Sequence, residues 1–285
     1  MSKIFAVGGA SDIGIDRERM EDYFTFTDLG DYTTCAVIAD GTGSLHENPQ
    51  PAAIAANHVI DEIKRDYDSA RELLLQNPGF FLNSAFMNAN DLLRAFKLGN
   101  EEKFSGYFSS MTAIFLDSYE ERGEVFTDMF YVHAGSTRLY LLRDGILDLI
   151  TRDDTEGMAL VDKGDLDEES YYTSPECLML TNWIGAPSVT IQSGSISLYP
   201  GDLILMTTDG IHLALRPSAM TQMILESTSP EEAAAMLVEG GKYLKYPDNM
   251  SAMVIGVHDF EEELPEEPGG NYPGQPGSPR QIPAD

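Results

Sequence analysis

A chain of 285 residues has the length of one large domain or two small ones, and 42% hydrophobic residues suffice for a packed core. Its 47 acids against 18 Lys and Arg leave a net charge of −29, which excludes ordinary nucleic-acid binding and discourages contact with anionic membranes. The two cysteines, Cys35 and Cys177, form no CxxC pair; this argues against a zinc or redox couple and for a reducing, cytoplasmic setting.

The opening MSKIFAVGGASDIG has too short an apolar stretch for a secretory signal, and no run approaches the ~18 apolar residues of a spanning helix. A soluble chain is expected. The run TTCAVIADG reads as a strand that stops on Asp40, with Cys35 as a small core residue. PAAIAANHVIDEIKRDY sets Ala56, Val59, Ile60, Ile63 and Tyr67 on one helical face. A second helix is expected to begin with Asn77 as its cap and Pro78 in its first turn. Leu82, Phe86, Ala89, Leu93 and Phe96 form its stripe, and the two helices should pack as an antiparallel pair.

MTAIFLD and MFYVHAGSTRLYLL read as strands, and RDG predicts a three-residue turn into ILDLI with Gly145 at positive φ. GSISLYPGDLILMTTDG supplies further strands and ends on Asp209. SPEEAAAMLVEGGKYL predicts a helix with Ser229 as cap and Glu232 completing a capping box. PDNMSAMVIGV places Asp248 just before a last strand. From Glu261 on, EEELPEEPGGNYPGQPGSPRQIPAD has almost nothing to bury and predicts a disordered tail, so the domain is read as 1–260 and the tail as 261–285. Runs of strands and runs of helices predict an α+β fold with largely antiparallel sheets.

Three apolar runs thus deliver Asp40, Asp209 and Asp248 to turns. Carboxylates brought together repel and raise one another's pKa, and a divalent cation removes that penalty. Oxygen ligands without His or Cys suit Mg²⁺ or Mn²⁺. Each Asp-Gly dipeptide is also an ordinary turn signal, so the argument rests on the segments taken in order.

That order is SDIGIDRERMEDYF, AVIADGTGS, SSMTAIFLD, HAGSTRLYLLRDGILDLITRDDT, PGDLILMTTDGI and PDNMSAMVIGV. The succession resembles the metal-dependent protein phosphatases of type 2C, the PPM family, over about Ile4 to Val257. The resemblance implies a β-sandwich of two antiparallel sheets flanked by antiparallel helix pairs, in α-β-β-α layers. It implies a serine/threonine phosphoprotein phosphatase that holds two Mg²⁺ or Mn²⁺ ions and attacks phosphorus directly with a hydroxide bridging them. Asp40 matches the acid that bridges the ions, with the carbonyl of Gly41 as a further ligand; Asp209 and Asp248 match the remaining carboxylates on one ion. Glu21 and Asp22 match the acidic pair that holds metal-bound waters. Arg17 matches the arginine that grips the substrate phosphate, a role suited to a guanidinium's two-pronged donors; a surface salt bridge is its other reading. Phosphoserine and phosphothreonine proteins, a cognate serine/threonine kinase and a monomeric state follow as expectations.

The chain departs from the family pattern at GSTR, where Ser136 replaces an aspartate that helps hold a third ion, so a third ion is expected to be weak or absent. Thr42 stands where some members carry a histidine acid. His46, His58, His133, His212 and His258 match no family site, and His133 reads as a packed sheet residue. The segment from Asp153 to Gly185 matches the family's variable flap. Its acids Asp165, Asp167, Glu168 and Glu169 read as solvation or as selection for basic phosphopeptides, and Trp183 as an anchor of the flap or a substrate contact. A catalytically weak or silent module that binds a kinase or phosphoprotein is the competing reading. Ser136 motivates it; retention of the six charged site residues argues against it.

Overall fold

The computed structural model of the chain describes residues 4–43, 50–98 and 106–259. The expected tail and His46 lie outside the described residues. The strands are β1 (Phe5–Asp12), β2 (Asp22–Asp28), β3 (Thr33–Thr42), β4 (Phe108–Glu121), β5 (Glu124–Ala134), β6 (Arg138–Arg143), β7 (Ile146–Leu149), β8 (Gln192–Leu198), β9 (Leu203–Thr207) and β10 (Met250–Val257). The helices are α1 (Pro51–Gln76), α2 (Pro78–Lys97), α3 (Glu156–Lys163), α4 (Glu168–Tyr171), α5 (Asp209–His212), α6 (Pro217–Glu226) and α7 (Pro230–Tyr243).

The strands form two five-stranded antiparallel sheets, ordered β1-β10-β9-β6-β7 and β2-β3-β4-β5-β8. Successive side chains of a strand point to opposite faces. Ile38, Ile114, Leu139, Met206 and Ile255 therefore meet between the sheets, while Val37, Ala113 and Phe115 face α1 and α2. Leu205, Ala252 and Val254 face α6 and α7. Both faces of the central strands are covered, which is why they read as unbroken apolar runs rather than as alternation. The result is the expected α-β-β-α layering.

Ala56, Val59, Ile60 and Ile63 of α1 and Leu82, Phe86, Ala89 and Leu93 of α2 share one core, with Tyr67 half-buried against it. Local details correct the sequence reading. Asn77 stands at the N-cap position of α2, its carbonyl accepting from Phe80 N and Phe81 N, but its side chain caps nothing there: it donates to Leu73 O at 3.2 Å and its N–H to Leu73 and Leu74, so it also closes the end of α1. Phe96 is 40% exposed, its ring lying beside Tyr107 at the rim of that core. Arg143 pairs with Ile146, so the turn has two residues, Asp144 and Gly145, both at positive φ. Ser229 caps α7 by accepting from Glu232 N at 3.2 Å, but Glu232 reaches back to Thr228 N at 2.7 Å rather than to the cap residue.

One end of the sandwich gathers the chemistry. Asp22 lies opposite Asp40 in the β2–β3 ladder, and Asp12 opposite Met250 in the β1–β10 ladder. Thr208, which follows β9, donates its N–H to Ser251 O of β10 at 3.0 Å. The β1–β2 connection, the end of β3, the exit of β9 and the entry to β10 therefore converge.

Candidate active site

The convergence forms a pocket of about 350 Å³ lined in part by Arg17, Glu21, Asp40, Gly41, Asp209 and Asp248. Six of the seven residues singled out in the sequence thus line one pocket. The seventh, Asp22, lies beneath it: 3% exposed, it accepts a hydrogen bond from Thr208 Oγ1 at 2.7 Å, which ties the two sheets together. The polar floor continues through Ser110 and Ser136, whose hydroxyls are 3.1 Å apart.

The glycine after Asp209 has a steric cause. A Cβ on Gly210 would lie 1.9 Å from Asn249 O. On the other side Gly14, at φ +78°, would place a Cβ 2.1 Å from Asp248 O. Two close backbone approaches thus fix the start of β10 between the β1–β2 loop and α5.

Asn249, which the sequence reading passed over, is the clamp of this end. Its Nδ2 donates to Ile13 O at 2.7 Å and Arg19 O at 2.9 Å, and its Oδ1 accepts from Glu21 N at 2.6 Å. One buried amide therefore holds the loop that carries Arg17 and Glu21. The available signal was its place directly after Asp248, and Thr208 likewise stands directly before Asp209.

Charge accumulates in the pocket. Burial, then the carboxylates of Asp209, Asp22 and Asp248, push Asp40 well above the usual carboxylate range. Burial is also the leading cause for Asp209, pushed up to about 8 with Asp248 and Asp22 adding to it, and for Asp22, pushed up to about 7 against the opposing hydrogen bond from Thr208. Arg17 is the countercharge. Its Nη2 lies 2.6 Å from Asp248 Oδ2, and this bond raises the guanidinium further above its ordinary value. The salt bridge read as Arg17's alternative is thus present, with a residue of the pocket as its partner.

The donor set fits hard divalent cations: carboxylates and the Gly41 carbonyl, with their mutual repulsion relieved by positive charge. Among the described residues no three His, Cys, Asp or Glu side chains stand ready around a single ion as placed. Asp248 is turned to Arg17 and Asp22 to Thr208. His133 and His212 are buried and bonded to Thr112 and Thr207, each at 2.9 Å, away from the pocket lining.

The flap supplies more of the lining. Its base is held by Arg138, which makes two bonds to Asp153 at 2.8 and 2.7 Å, with Tyr171 OH donating to Asp153 at 2.6 Å. Glu156 N donates to Met179 O at 2.8 Å, and Ile184 exchanges two backbone bonds with Ser109 of β4. The intervening segment brings Leu178, Leu180 and Trp183 to the pocket, where Trp183 packs on Phe108 with ring centroids 5.4 Å apart. Trp183 therefore both anchors the flap and faces the pocket.

No protein-family model matches the chain. A protein of Streptococcus pyogenes whose name places it with the type 2C protein phosphatases is 24% identical over 255 residues, 89% of this chain and 97% of that protein. The serine/threonine protein phosphatase PstP of Mycobacterium tuberculosis is 34% identical over 233 residues, 79% of this chain; the match spans 40% of PstP. The crystal structure of the PstP catalytic domain in complex with two manganese ions superposes with a TM-score of 0.70 at 25% identity, covering 90% of this chain and 99% of that one. Sequence order, sheet topology and these relatives agree: the chain belongs to the PPM family of type 2C serine/threonine phosphatases, in its bacterial form.

Proposed function

We propose that the chain is a Mg²⁺- or Mn²⁺-dependent phosphatase of phosphoserine and phosphothreonine proteins. The observation that carries this reading is the meeting of Asp40, Asp209, Asp248 and Arg17 in one pocket. Two ions held by Asp40, Gly41, Asp209 and Asp248 would activate the attacking water and offset charge on phosphorus. The chain's own residues do the rest. Arg17, released from Asp248, donates to two phosphate oxygens and orients the ester. Glu21 orders water at the rim, and Asp22 braces the floor through Thr208. The apolar flap wall keeps bulk water from the scissile bond. Catalysis needs no covalent enzyme intermediate: among the described residues the serines that line the pocket, Ser110 and Ser136, bond to each other rather than to a base.

Ser136 offers a hydroxyl already engaged with Ser110, so a third ion binds weakly or not at all. No described helix is long and apolar enough to cross a membrane. A monomeric, cytoplasmic enzyme working against a serine/threonine kinase completes the proposal, with residues 1–260 as its catalytic unit. Release of phosphate from a phosphothreonine peptide should require Mn²⁺ or Mg²⁺ and should be lost in Asp209→Asn. Full release in excess chelator, or unchanged release in that variant, overturns the assignment. Ser136 also motivates the silent-module reading, which activity anywhere in a Mn²⁺ series would retire.

A further inference from the structure

The flap is rich in acid, but its acids do not face the pocket. Asp167 caps α4 by accepting from Ser170 N at 2.9 Å and Ser170 Oγ at 2.6 Å. Glu169 is held by Arg216 at 2.8 Å, and Asp162 pairs with Arg152. What the flap gives the pocket is apolar: Leu178, Leu180 and Trp183, the last backed by Phe108. This wall is built in advance. Met179 is bonded to Glu156, Thr181 N donates to Asp154 O at 2.8 Å, and Ile184 is paired with Ser109, so Leu178 to Trp183 is pinned on both sides. Leu178 is nevertheless 57% exposed and the adjoining Met179 47% exposed, which leaves apolar surface at the mouth of the pocket.

Resting on the phosphatase reading, we propose that this wall sets substrate choice: it takes the side chain next to the phosphorylated residue and selects phosphopeptides with an aliphatic or aromatic residue there over basic ones. The ester must reach Asp40 and Arg17, and a peptide that does so has its flanking residues at the pocket mouth, opposite or against Leu178 and Trp183. Part-burying one leucine-sized side chain on such a surface is worth on the order of tenfold in kcat/KM. Basic flanking residues would find apolar atoms there, while Asp162, Asp167 and Glu169 are already engaged with their own neighbours and no flap acid lines the pocket.

The test uses the full chain with Mn²⁺ and three phosphothreonine peptides that differ only in the two flanking residues: Leu, Gly or Lys. The leucine peptide is expected to exceed the glycine peptide by about tenfold in kcat/KM, with the lysine peptide no better than glycine. In Leu178→Ser and in Trp183→Ala the Leu-to-Gly ratio should fall to within about twofold. Leu178 is exposed, so its variant tests the proposal without threatening the fold. Equal rates for the leucine and glycine peptides, a preference for lysine, or an unchanged ratio in Leu178→Ser overturns the inference while leaving the phosphatase reading standing. Failure to hydrolyse any of the three overturns both.

Discussion

The replacement Asn249→Ala removes the amide that joins the entry of β10 to the β1–β2 loop. Three hydrogen bonds are lost, to Ile13 O, Arg19 O and Glu21 N. A net ~1 kcal/mol for each gives about 3 kcal/mol, and Asn249 is only 3% exposed, so water replaces them poorly. The loss falls on the segment that carries Arg17 and Glu21. A loop loosened by that amount spends up to ~100-fold less of its time ordered relative to its open forms, since 1.4 kcal/mol is a factor of ten. Urea unfolding should show a lower midpoint with an unchanged slope, and steady-state hydrolysis of a phosphopeptide should show a fall in kcat/KM of one to two orders of magnitude, on the order set by that energy. Asn249→Asp should be no better. It keeps an acceptor for Glu21 N but turns oxygen toward two carbonyls and adds a carboxylate to a pocket already strained by acids. An alanine variant with stability within ~0.5 kcal/mol of the parent and undiminished kcat/KM would mean that Asn249 does not hold the loop.

Asp153→Asn should destabilise the fold by about 3–5 kcal/mol, because Arg138 would be left buried without its countercharge; denaturant midpoints check this. Gly210→Ala should cost both stability and activity, since a Cβ would meet Asn249 O at 1.9 Å, and a variant with parental melting and turnover would contradict the close approach. The metal-free protein should become more stable as pH falls through the window from about 8 toward the ordinary carboxylate value of 3.8. Asp209, raised to about 8, and Asp22, raised to about 7, bind protons in the folded state before they do in the unfolded state, so the repulsion is relieved on acidification. Melting curves in chelator across pH 5 to 8 test the sign, and saturating Mn²⁺ should flatten the trend.

The meeting of Asp40, Asp209 and Asp248 was legible from the order of their segments and its resemblance to the type 2C phosphatases, since each acid at the end of an apolar run is by itself only a turn signal. The helix pair was legible because α1 and α2 each bury a 3.6-period stripe. What escaped depends on partners distant in the chain. Asn249 reaches Glu21 only because Asp12 pairs with Met250 across the sheet. Asp22 reads as one of two adjacent acids, but strand alternation turns it inward to Thr208. Asn77 carries the residue type of an N-cap, yet the end of α1 offers orphan carbonyls within its reach. The flap's acids read as solvation or as selection for basic phosphopeptides; none of them lines the pocket, Asp167 capping α4 and Glu169 pairing with Arg216, and the flap residues that do line it are Leu178, Leu180 and Trp183.

The most direct measurement is an anomalous-scattering map from a crystal of the full chain soaked in Mn²⁺. Two manganese peaks are expected in the pocket, Asp40 touching both and Asp209 and Asp248 sharing one, with Arg17 freed from Asp248 and no third peak at Ser136. Manganese bound away from these three aspartates, or none in the pocket at saturating concentration, would contradict it.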